Sequence, residues 1–237
     1  GHYCCGTERI YVVEQVYDEF LAKVVAGARK LRQGNALGFE EDVGAVFWDK
    51  QMEIIERHVE DAVAKGATVH VGGRRNPELK GLYYEPTVMT GVNHDMEIMR
   101  DETFGPVLCI QKVRDVEEAL RLANDSPYGL NGNVWTRDKE KGFAIAARID
   151  TGSVSVNDMA MSYGVPAAPF GGRKESGIGQ VNGETGMRGY CHAMPILIDR
   201  FGGKELPSGY PYTQKKAEGM KKLMNFLWNT PVGRWLS

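Results

Sequence analysis

Short runs of β-branched and aromatic residues alternate along the chain with stretches whose apolar residues recur every three or four positions. The runs predict strands at 9–13, 68–71, 107–113, 133–136 and 153–157. The helical spacing predicts helices at 16–32, 50–65 and 138–149, and Asp115 is expected to cap a further helix that ends at Asn124. This alternation with short connections is typical of an α/β domain with a mostly parallel sheet and helices on both faces.

The composition is that of a compact globular protein. The 237 residues are 42% hydrophobic and 25% charged, which argues against a disordered chain. The net charge of −2 gives no electrostatic reason to expect nucleic acid or an anionic membrane as partner. No apolar run approaches the roughly 18 residues of a membrane-spanning helix, so we predict no transmembrane segment. Four cysteines are too few for a disulfide framework, and we expect a reduced, cytoplasmic protein.

Three short segments carry the candidate chemistry. A Gly-His-Tyr-Cys segment ends at Cys4, a Glu-Thr-Phe-Gly-Pro-Val segment begins at Glu102, and a Pro-Phe-Gly-Gly-Arg-Lys-Glu-Ser-Gly segment begins at Pro169. In order and approximate spacing these segments resemble the signature motifs of the NAD(P)-dependent aldehyde dehydrogenases, over about residues 1–200. The resemblance implies oxidation of a small-molecule aldehyde to a carboxylate, with NAD or NADP as the cofactor of the full-length enzyme.

The resemblance makes Cys4 the nucleophile. A thiolate adds to the aldehyde carbon, hydride leaves for the nicotinamide, and water then hydrolyses the thioester. Sulfur suits both steps because a thiolate is strongly nucleophilic and later a good leaving group. Without the resemblance, a cysteine is more often a small buried hydrophobe. Cys5 is expected to be structural, and His2 is poorly placed as a base for Cys4 because the two lie only two positions apart in a tight segment.

The same resemblance implies that Glu102 grips the ribose of the cofactor and that Phe104 buttresses the nicotinamide ring. By themselves the two residues are typical of a solvated loop carboxylate beside a core aromatic ring. The resemblance places the substrate pocket at five further residues: Tyr3, Asn157, Met161, Tyr163 and Phe170.

Two other kinds of site are not predicted. The glycines that follow Phe170 miss the spacing of the dinucleotide-binding fingerprint, and no Walker lysine pattern is present, so we expect them to form a close-packed turn. The five histidines offer no metal-ligand spacing, and no metal site is therefore predicted.

The resemblance also implies a domain organisation. Residues 1–200 correspond to the catalytic domain of the family, with an oligomerisation strand near 186–198 that pairs with a neighbouring subunit and implies a homo-oligomer. The family's nucleophile lies past the middle of its chain, and no residue here corresponds to its general-base glutamate or its oxyanion asparagine. We therefore expect the C-terminal catalytic half, without the N-terminal cofactor-binding half and inactive by itself. The alternatives are a CoA-acylating relative and a non-catalytic structural or oligomerisation fragment.

The last part of the sequence, 201–237, is expected to be an extension that follows a polar, glycine-bearing break at 202–209. Within 213–228 one apolar stripe lies beside four lysines, and its members are Met220, Leu223, Met224, Leu227 and Trp228. A basic amphipathic helix can rest on a membrane. Such a helix more often packs on its own domain or on a partner subunit, and that is what we expect here.

Overall fold

The computed structural model describes residues 1–35, 37–159, 161–198 and 209–236. The chain divides into two compact units, Gly1–His192 and Ala193–Ser237. The strands are β1 Arg9–Val13, β2 Thr68–Val71, β3 Thr87–Thr90, β4 Val107–Val113, β5 Tyr128–Gly129, β6 Asn131–Val134, β7 Ser153–Val156 and β8 Arg173–Lys174. The helices are α1 Glu14–Ala28, α2 Asp49–Ala64, α3 Glu97–Arg100, α4 Val116–Asn124, α5 Lys139–Ala146, α6 Met161–Gly164, α7 Gly183–Arg188, α8 Gln214–Asn229 and α9 Pro231–Leu236.

The larger unit is built around a sheet with the strand order β1-β4-β3-β2. Strand β4 pairs in parallel with both β1 and β3, whereas β2 runs antiparallel to β3. Of the shorter pairs, β6 and β7 are parallel, and β5 and β8 are antiparallel. Two of the three pairings in the β1-β4-β3-β2 sheet are therefore parallel, in agreement with the predicted mostly parallel sheet, and the antiparallel edge strand β2 makes the sheet mixed. The loop 72–86 reverses the chain between β2 and β3 without the crossover helix that a parallel pair needs.

Helices cover both faces of this sheet, as the sequence predicted. Successive side chains of a strand point to opposite faces. On one face Met89 and Cys109 pack with α2, whose buried residues are Gln51, Met52, Ile55, His58, Val59 and Ala62. On the other face Val12, Val88 and Ile110 pack against α1, through Tyr17, Phe20, Leu21, Val24, Val25 and Ala28. Apart from Gln51 and His58 these side chains are apolar, and their partial or complete removal from water is the main favourable contribution to folding.

Most predicted elements are present, with shifts at their ends. Helix α1 begins at Glu14 and ends at Ala28, so the predicted extension to Arg32 was wrong. After Ala28 the α-helical hydrogen bonds give way to tighter turns. In these turns the backbone N–H groups of Lys30 and Leu31 donate to carbonyls three residues earlier. Asp115 caps α4 by accepting from the backbone N–H of Glu118, as predicted.

The second unit contains α8 and α9. Thr213 caps α8 by accepting a hydrogen bond from the backbone N–H of Lys216 at 3.2 Å. Residues 193–198 form no strand in the described part of the chain, and a strand that pairs with another subunit stays a prediction. The predicted break at 202–209 lies outside the described residues except for Gly209. None of the described helices has both the length and the apolar character needed to cross a bilayer.

Candidate active site

Cys4 lies in a tight turn directly before β1. The backbone N–H of Gly6 donates to the carbonyl of Tyr3 at 2.7 Å, which places Cys4 and Cys5 at the two central positions of the turn. The turn exposes Cys4 and buries Cys5, with the two Sγ atoms 3.8 Å apart. Burial, followed by the hydrogen bond to Cys4, raises the pKa of Cys5 to about 11. Cys5 is therefore held as a thiol, and Cys4 carries the sulfur that an incoming molecule can reach.

The cysteine turn lies against the Glu-Thr-Phe-Gly-Pro loop, so the structure brings together two motifs that are about a hundred residues apart in sequence. A Cβ atom on Gly1 would stand 1.5 Å from the carbonyl oxygen of Gly105, and only glycine permits this approach. The ring of Phe104 lies 6.4 Å from the ring of His2 and 6.3 Å from that of Phe47. His2 thus belongs to an aromatic cluster, in which burial lowers the pKa of its imidazole.

The carboxylate of Glu8 holds the backbone of this loop. One oxygen accepts from the N–H of Thr103 at 2.8 Å, and the other accepts from the N–H of Phe104 at 2.9 Å. Phe104 has a φ of +46°, a left-handed conformation that costs a residue other than glycine on the order of 1–3 kcal/mol. Hydrogen bonds to a charged acceptor contribute about 1.5–3 kcal/mol each and offset this strain. Glu8 therefore links the cysteine turn to the loop that carries Glu102 and Phe104.

Two buried residues of α2 hold the same loop. Gln51 donates from Nε2 to the carbonyl of Thr103 at 2.7 Å, and Nδ1 of His58 lies 3.1 Å from the Thr103 hydroxyl oxygen. The other ring nitrogen of His58 lies 3.2 Å from a guanidinium nitrogen of Arg57. Arginine can only donate, so Nε2 of His58 accepts and Nδ1 carries the hydrogen. Burial, followed by the charge of Arg57, lowers the pKa of His58 and favours this neutral ring.

We expect the stability of the fold to depend on the titration of His58. The ordinary pKa of histidine, about 6.5, applies to the unfolded chain, and the folded value is lower. Below about pH 6.5 the unfolded chain therefore binds a proton that the folded chain binds only at a lower pH. The free energy of unfolding is therefore highest, as far as His58 is concerned, above about pH 6.5. It falls as the pH decreases below this value, with a limiting slope of about 1.4 kcal/mol per pH unit.

Urea unfolding of the wild type and of His58→Gln at pH 7.5 and 5.5 measures this dependence. Glutamine keeps a donor that can reach Thr103 and does not titrate, so the variant is expected to lose less stability on acidification than the wild type. An equal loss in both proteins would assign the pH dependence to other groups.

His58 also belongs to a group of possible metal ligands. Atoms of His58, Glu97 and Asp101 lie within 4.8 Å of one another. However, Arg57 donates to Glu97 at 2.9 Å and contacts His58, so a guanidinium already supplies positive charge at this place. Among the described residues this group is better explained as an ion-pair network around His58 than as a metal site.

Glu102 itself is an exposed residue. Partial burial, followed by the charge of Glu8, raises the pKa of Glu102, while Arg9 opposes the shift. The guanidinium of Arg9 donates to the carbonyls of Met99 and Asp101, at 2.8 Å each, and so fixes the chain just before Glu102. The loop is therefore held from β1 on one side and from α2 on the other.

Tyr3 begins the cysteine turn, and two other predicted pocket residues, Tyr163 and Phe170, form an aromatic pair. The pKa of Tyr3 is raised by partial burial first, then by the Cys5 and Cys4 thiols, and to a smaller extent by Tyr163. The exposed ring of Tyr163 meets the buried ring of Phe170 edge to face, with centroids 5.2 Å apart. Tyr163 therefore contacts Phe170 and lies near enough to Tyr3 to affect its titration.

The other two predicted pocket residues have different surroundings. Asn157 ends β7 with a φ of +59°; its side-chain oxygen accepts from the N–H of Thr136 at 2.9 Å, and its nitrogen donates to the Thr136 carbonyl at 2.8 Å. Each end of the amide makes one hydrogen bond that stabilises the end of the strand, and a place for Asn157 in the substrate pocket stays a prediction. Met161 is exposed at the start of α6, where its N–H donates to the carboxylate of Asp158. None of the described contacts of Met161 reaches Cys4.

The glycine-rich segment forms the close-packed turn that the sequence predicted. A Cβ atom on Gly152 would stand 1.6 Å from the carbonyl oxygen of Gly171, and one on Gly172 would stand 2.2 Å from that of Ser176. Phe170 exchanges two backbone hydrogen bonds with Val181, at 2.9 and 2.7 Å. The glycines are needed because backbone segments touch here, and this contact fixes the ring of Phe170.

The chain matches the model of the aldehyde dehydrogenase family over residues 1–196. A relative from Mycobacterium ulcerans, named putative succinate-semialdehyde dehydrogenase [NADP(+)] 2, is 42% identical over 214 residues, which are 90% of this chain and 41% of the relative. A 4,4'-diapolycopene aldehyde oxidase from a Methylomonas species is 35% identical over 229 residues, 96% of this chain and 42% of that protein. The chain therefore spans about two fifths of the length of these curated relatives.

Solved structures of aldehyde dehydrogenases are also similar to this chain. Betaine aldehyde dehydrogenase from Staphylococcus aureus in complex with NAD+ is similar with a TM-score of 0.77 and 35% identity, over 84% of this chain and 41% of that one. Succinate-semialdehyde dehydrogenase from Burkholderia pseudomallei is similar with a TM-score of 0.75 and 36% identity, over 80% and 39% of the two chains.

Proposed function

Because this chain belongs to the aldehyde dehydrogenase family, we propose that it carries the catalytic cysteine of an NAD(P)-dependent enzyme that oxidises a small-molecule aldehyde to a carboxylate. The observation that carries the proposal is the exposed thiol of Cys4, held beside a rigid loop that presents Glu102 and Phe104. The neighbouring Cys5 is buried, which leaves Cys4 as the sulfur of the turn that meets the substrate.

In this mechanism the Cys4 thiolate attacks the carbonyl carbon of the aldehyde, and a carbon–sulfur bond forms while the carbonyl oxygen becomes an oxyanion. The backbone N–H of Cys4 is one donor to that oxyanion. Loss of hydride from the same carbon leaves a thioester on Cys4, and hydrolysis by water releases the carboxylate and restores the thiol. In this proposal Tyr3, Tyr163 and Phe170 line the pocket for the organic part of the aldehyde.

The Glu-Thr-Phe-Gly-Pro loop that begins at Glu102, which we call the cofactor loop in this proposal, fits a nicotinamide nucleotide in two respects. Glu102 offers an exposed carboxylate that can accept hydrogen bonds from two adjacent ribose hydroxyls, and Phe104 offers an aromatic ring two residues later. Because the loop backbone is held by Glu8, Gln51 and His58, both side chains are presented in a fixed arrangement. When bound, the nucleotide supplies the hydride acceptor. NAD and NADP both fit this proposal, since the relatives include an enzyme named for NADP(+) and a structure in complex with NAD+.

The remaining features of the enzyme are proposed on the motifs and on the relatives. We infer that the chain corresponds to the C-terminal catalytic half of such an enzyme, inactive without the cofactor-binding half, and that the enzyme is cytoplasmic. A homo-oligomer is proposed through residues 194–198, whose side chains at Ile196, Leu197 and Ile198 are exposed and apolar. The names of the relatives favour oxidation of the aldehyde over the CoA-acylating and the structural alternatives.

Thiol labelling tests the role of Cys4. With iodoacetamide at neutral pH, peptide mapping is expected to show Cys4 as the fastest of the four cysteines. Cys5 and Cys109 are buried, and burial raises the pKa of their thiols to about 11 and about 12, so both should react slowly. Cys191 is the matched control because it is exposed like Cys4. If Cys191 reacted as fast as Cys4, accessibility alone would explain the labelling and the assignment of the nucleophile would lose its support.

A further inference from the structure

The second unit exposes a set of large apolar side chains on two adjoining helices. On α8 these are Leu223, Met224, Phe226 and Trp228, and on α9 they are Val232 and Trp235. The four on α8 are between 43% and 57% exposed, whereas the sequence had led us to expect this side of the helix to be buried against protein. On α8, Phe226 lies on the opposite side from Met224 and Trp228, so the exposed apolar surface is formed by the other five side chains, two of which are tryptophans.

The arrangement of residues around α8 is that of an interfacial helix. At 100° per residue, Leu223, Met224 and Trp228 lie on one side, together with Met220 and Leu227. The opposite side carries polar residues, among them Glu218, Asn225 and Asn229. Lys221 lies at a border between these sides, where a long side chain can reach from an apolar layer to charged groups in water, and Lys222 lies among the polar residues of the opposite side.

The charge of this region has the opposite sign to that of the whole chain. Residues 214–237 contain five lysine or arginine residues and one glutamate, although the complete sequence has a net charge of −2. Positive charge is thus concentrated beside the exposed apolar surface. The near-neutral total, which gave no reason to expect a membrane partner, conceals this separation.

We propose that α8 and α9 bind the surface of an anionic membrane, with α8 lying in the plane of the headgroups. Its apolar side enters the upper acyl region, Trp228 and Trp235 sit at the interface, and the lysines meet anionic headgroups. Charge complementarity favours this occupant over a second copy of the chain, because pairing two copies of α8 would bring like charges together. The proposal does not depend on the proposed reaction.

Co-sedimentation of the complete chain with lipid vesicles tests the proposal. Vesicles of phosphatidylcholine with 30% phosphatidylserine, at about 0.1 M salt, are expected to bind the protein more tightly than vesicles of phosphatidylcholine alone. Replacing Lys221 and Lys222 together by glutamate is expected to weaken binding to the anionic vesicles by at least roughly 25-fold, since each lysine near such a surface contributes about fivefold. Circular dichroism of each variant establishes that α8 is still helical.

Two further variants separate this explanation from others. The matched control replaces Lys139 and Lys141 of α5 by glutamate, which makes the same change in net charge on exposed residues of the first unit. This control is expected to bind like the wild type. Replacing Leu223 and Met224 by asparagine leaves the charge unchanged and should also reduce binding.

Three results would overturn the proposal. One is a wild-type chain that binds neither kind of vesicle. The second is a control variant that weakens binding as much as the variant of Lys221 and Lys222, which would indicate attraction by net charge alone. The third is an asparagine variant that lowers the oligomeric mass in light scattering while vesicle binding stays unchanged, which would identify the surface as a contact between protein chains.

Discussion

Replacing Cys4 by alanine is expected to abolish aldehyde oxidation, with kcat lowered by a factor on the order of 10⁴ or more. The substitution removes the atom that forms the covalent bond to the substrate carbon, and no other described thiol replaces it. Cys5 is buried in the same turn, and its raised pKa keeps it protonated near neutral pH. The measurement is formation of reduced nucleotide by the chain assembled with its proposed cofactor-binding half.

The matched control for this experiment is Cys191→Ala, which removes an equally exposed thiol and should leave kcat unchanged. Nucleotide binding by Cys4→Ala, followed by fluorescence, should stay close to that of the wild type because Cys4 does not belong to the cofactor loop. A Cys4→Ala enzyme that keeps a substantial part of its turnover would refute the assignment.

Replacing Glu8 by alanine is expected to lower the free energy of unfolding by about 3 kcal/mol or more. Two hydrogen bonds to a charged acceptor are lost, and the left-handed backbone of Phe104 loses the contact that offsets its strain. The loop that carries Glu102 and Phe104 is then free to shift. A displacement of about 1 Å at a positioning residue can lower kcat/KM by a factor on the order of 100.

Two comparisons make this second experiment specific. Glu14→Ala removes a carboxylate from the exposed first turn of α1 and is expected to leave both stability and nucleotide affinity near wild-type values. Glu8→Gln keeps one acceptor and loses the charge, so it should be intermediate in stability. In both Glu8 variants the pKa of Glu102 should fall, because the Glu8 charge is one of the two causes that raise it. Wild-type nucleotide affinity in Glu8→Ala would show that Glu8 does not position this loop.

The elements that the sequence predicted well are those with a strong local signal. Strands β1, β2 and β4 are runs of β-branched and other apolar residues bounded by polar positions, and their observed limits agree with the prediction. Strand β3 was missed. It has only four residues, Thr87–Thr90, directly after a proline, and its threonines hide the apolar signal although all four positions are buried. Burial between two neighbouring strands makes this segment a strand, and a local pattern does not contain that information.

The candidate site likewise contains residues that the sequence identified and residues that it did not. The motifs identified Cys4, Glu102 and Phe104, and the structure places the turn of the first against the loop of the other two. The residues that hold this loop were not predicted, because each acts through a contact with a segment far away in the sequence. Glu8 reaches Phe104 across 96 positions and His58 reaches Thr103 across 45. Nothing in the immediate neighbourhood of either residue distinguishes it from an ordinary polar position, and only the tertiary fold reveals the partner.

The pairing of β1 with β4 has a consequence for the order of events during translation. Residues 9–13 pair with residues 107–113, so β1 leaves the ribosome well before the strand that it pairs with. At roughly 5–20 residues per second, the delay is on the order of 5–20 seconds. For that time the nascent chain holds an apolar strand with an open edge, five positions after the exposed sulfur of Cys4. Completion of β4 brings the loop of Glu102 and Phe104, which immediately precedes it, to the cysteine turn, so the sheet and the proposed active site are assembled in one step.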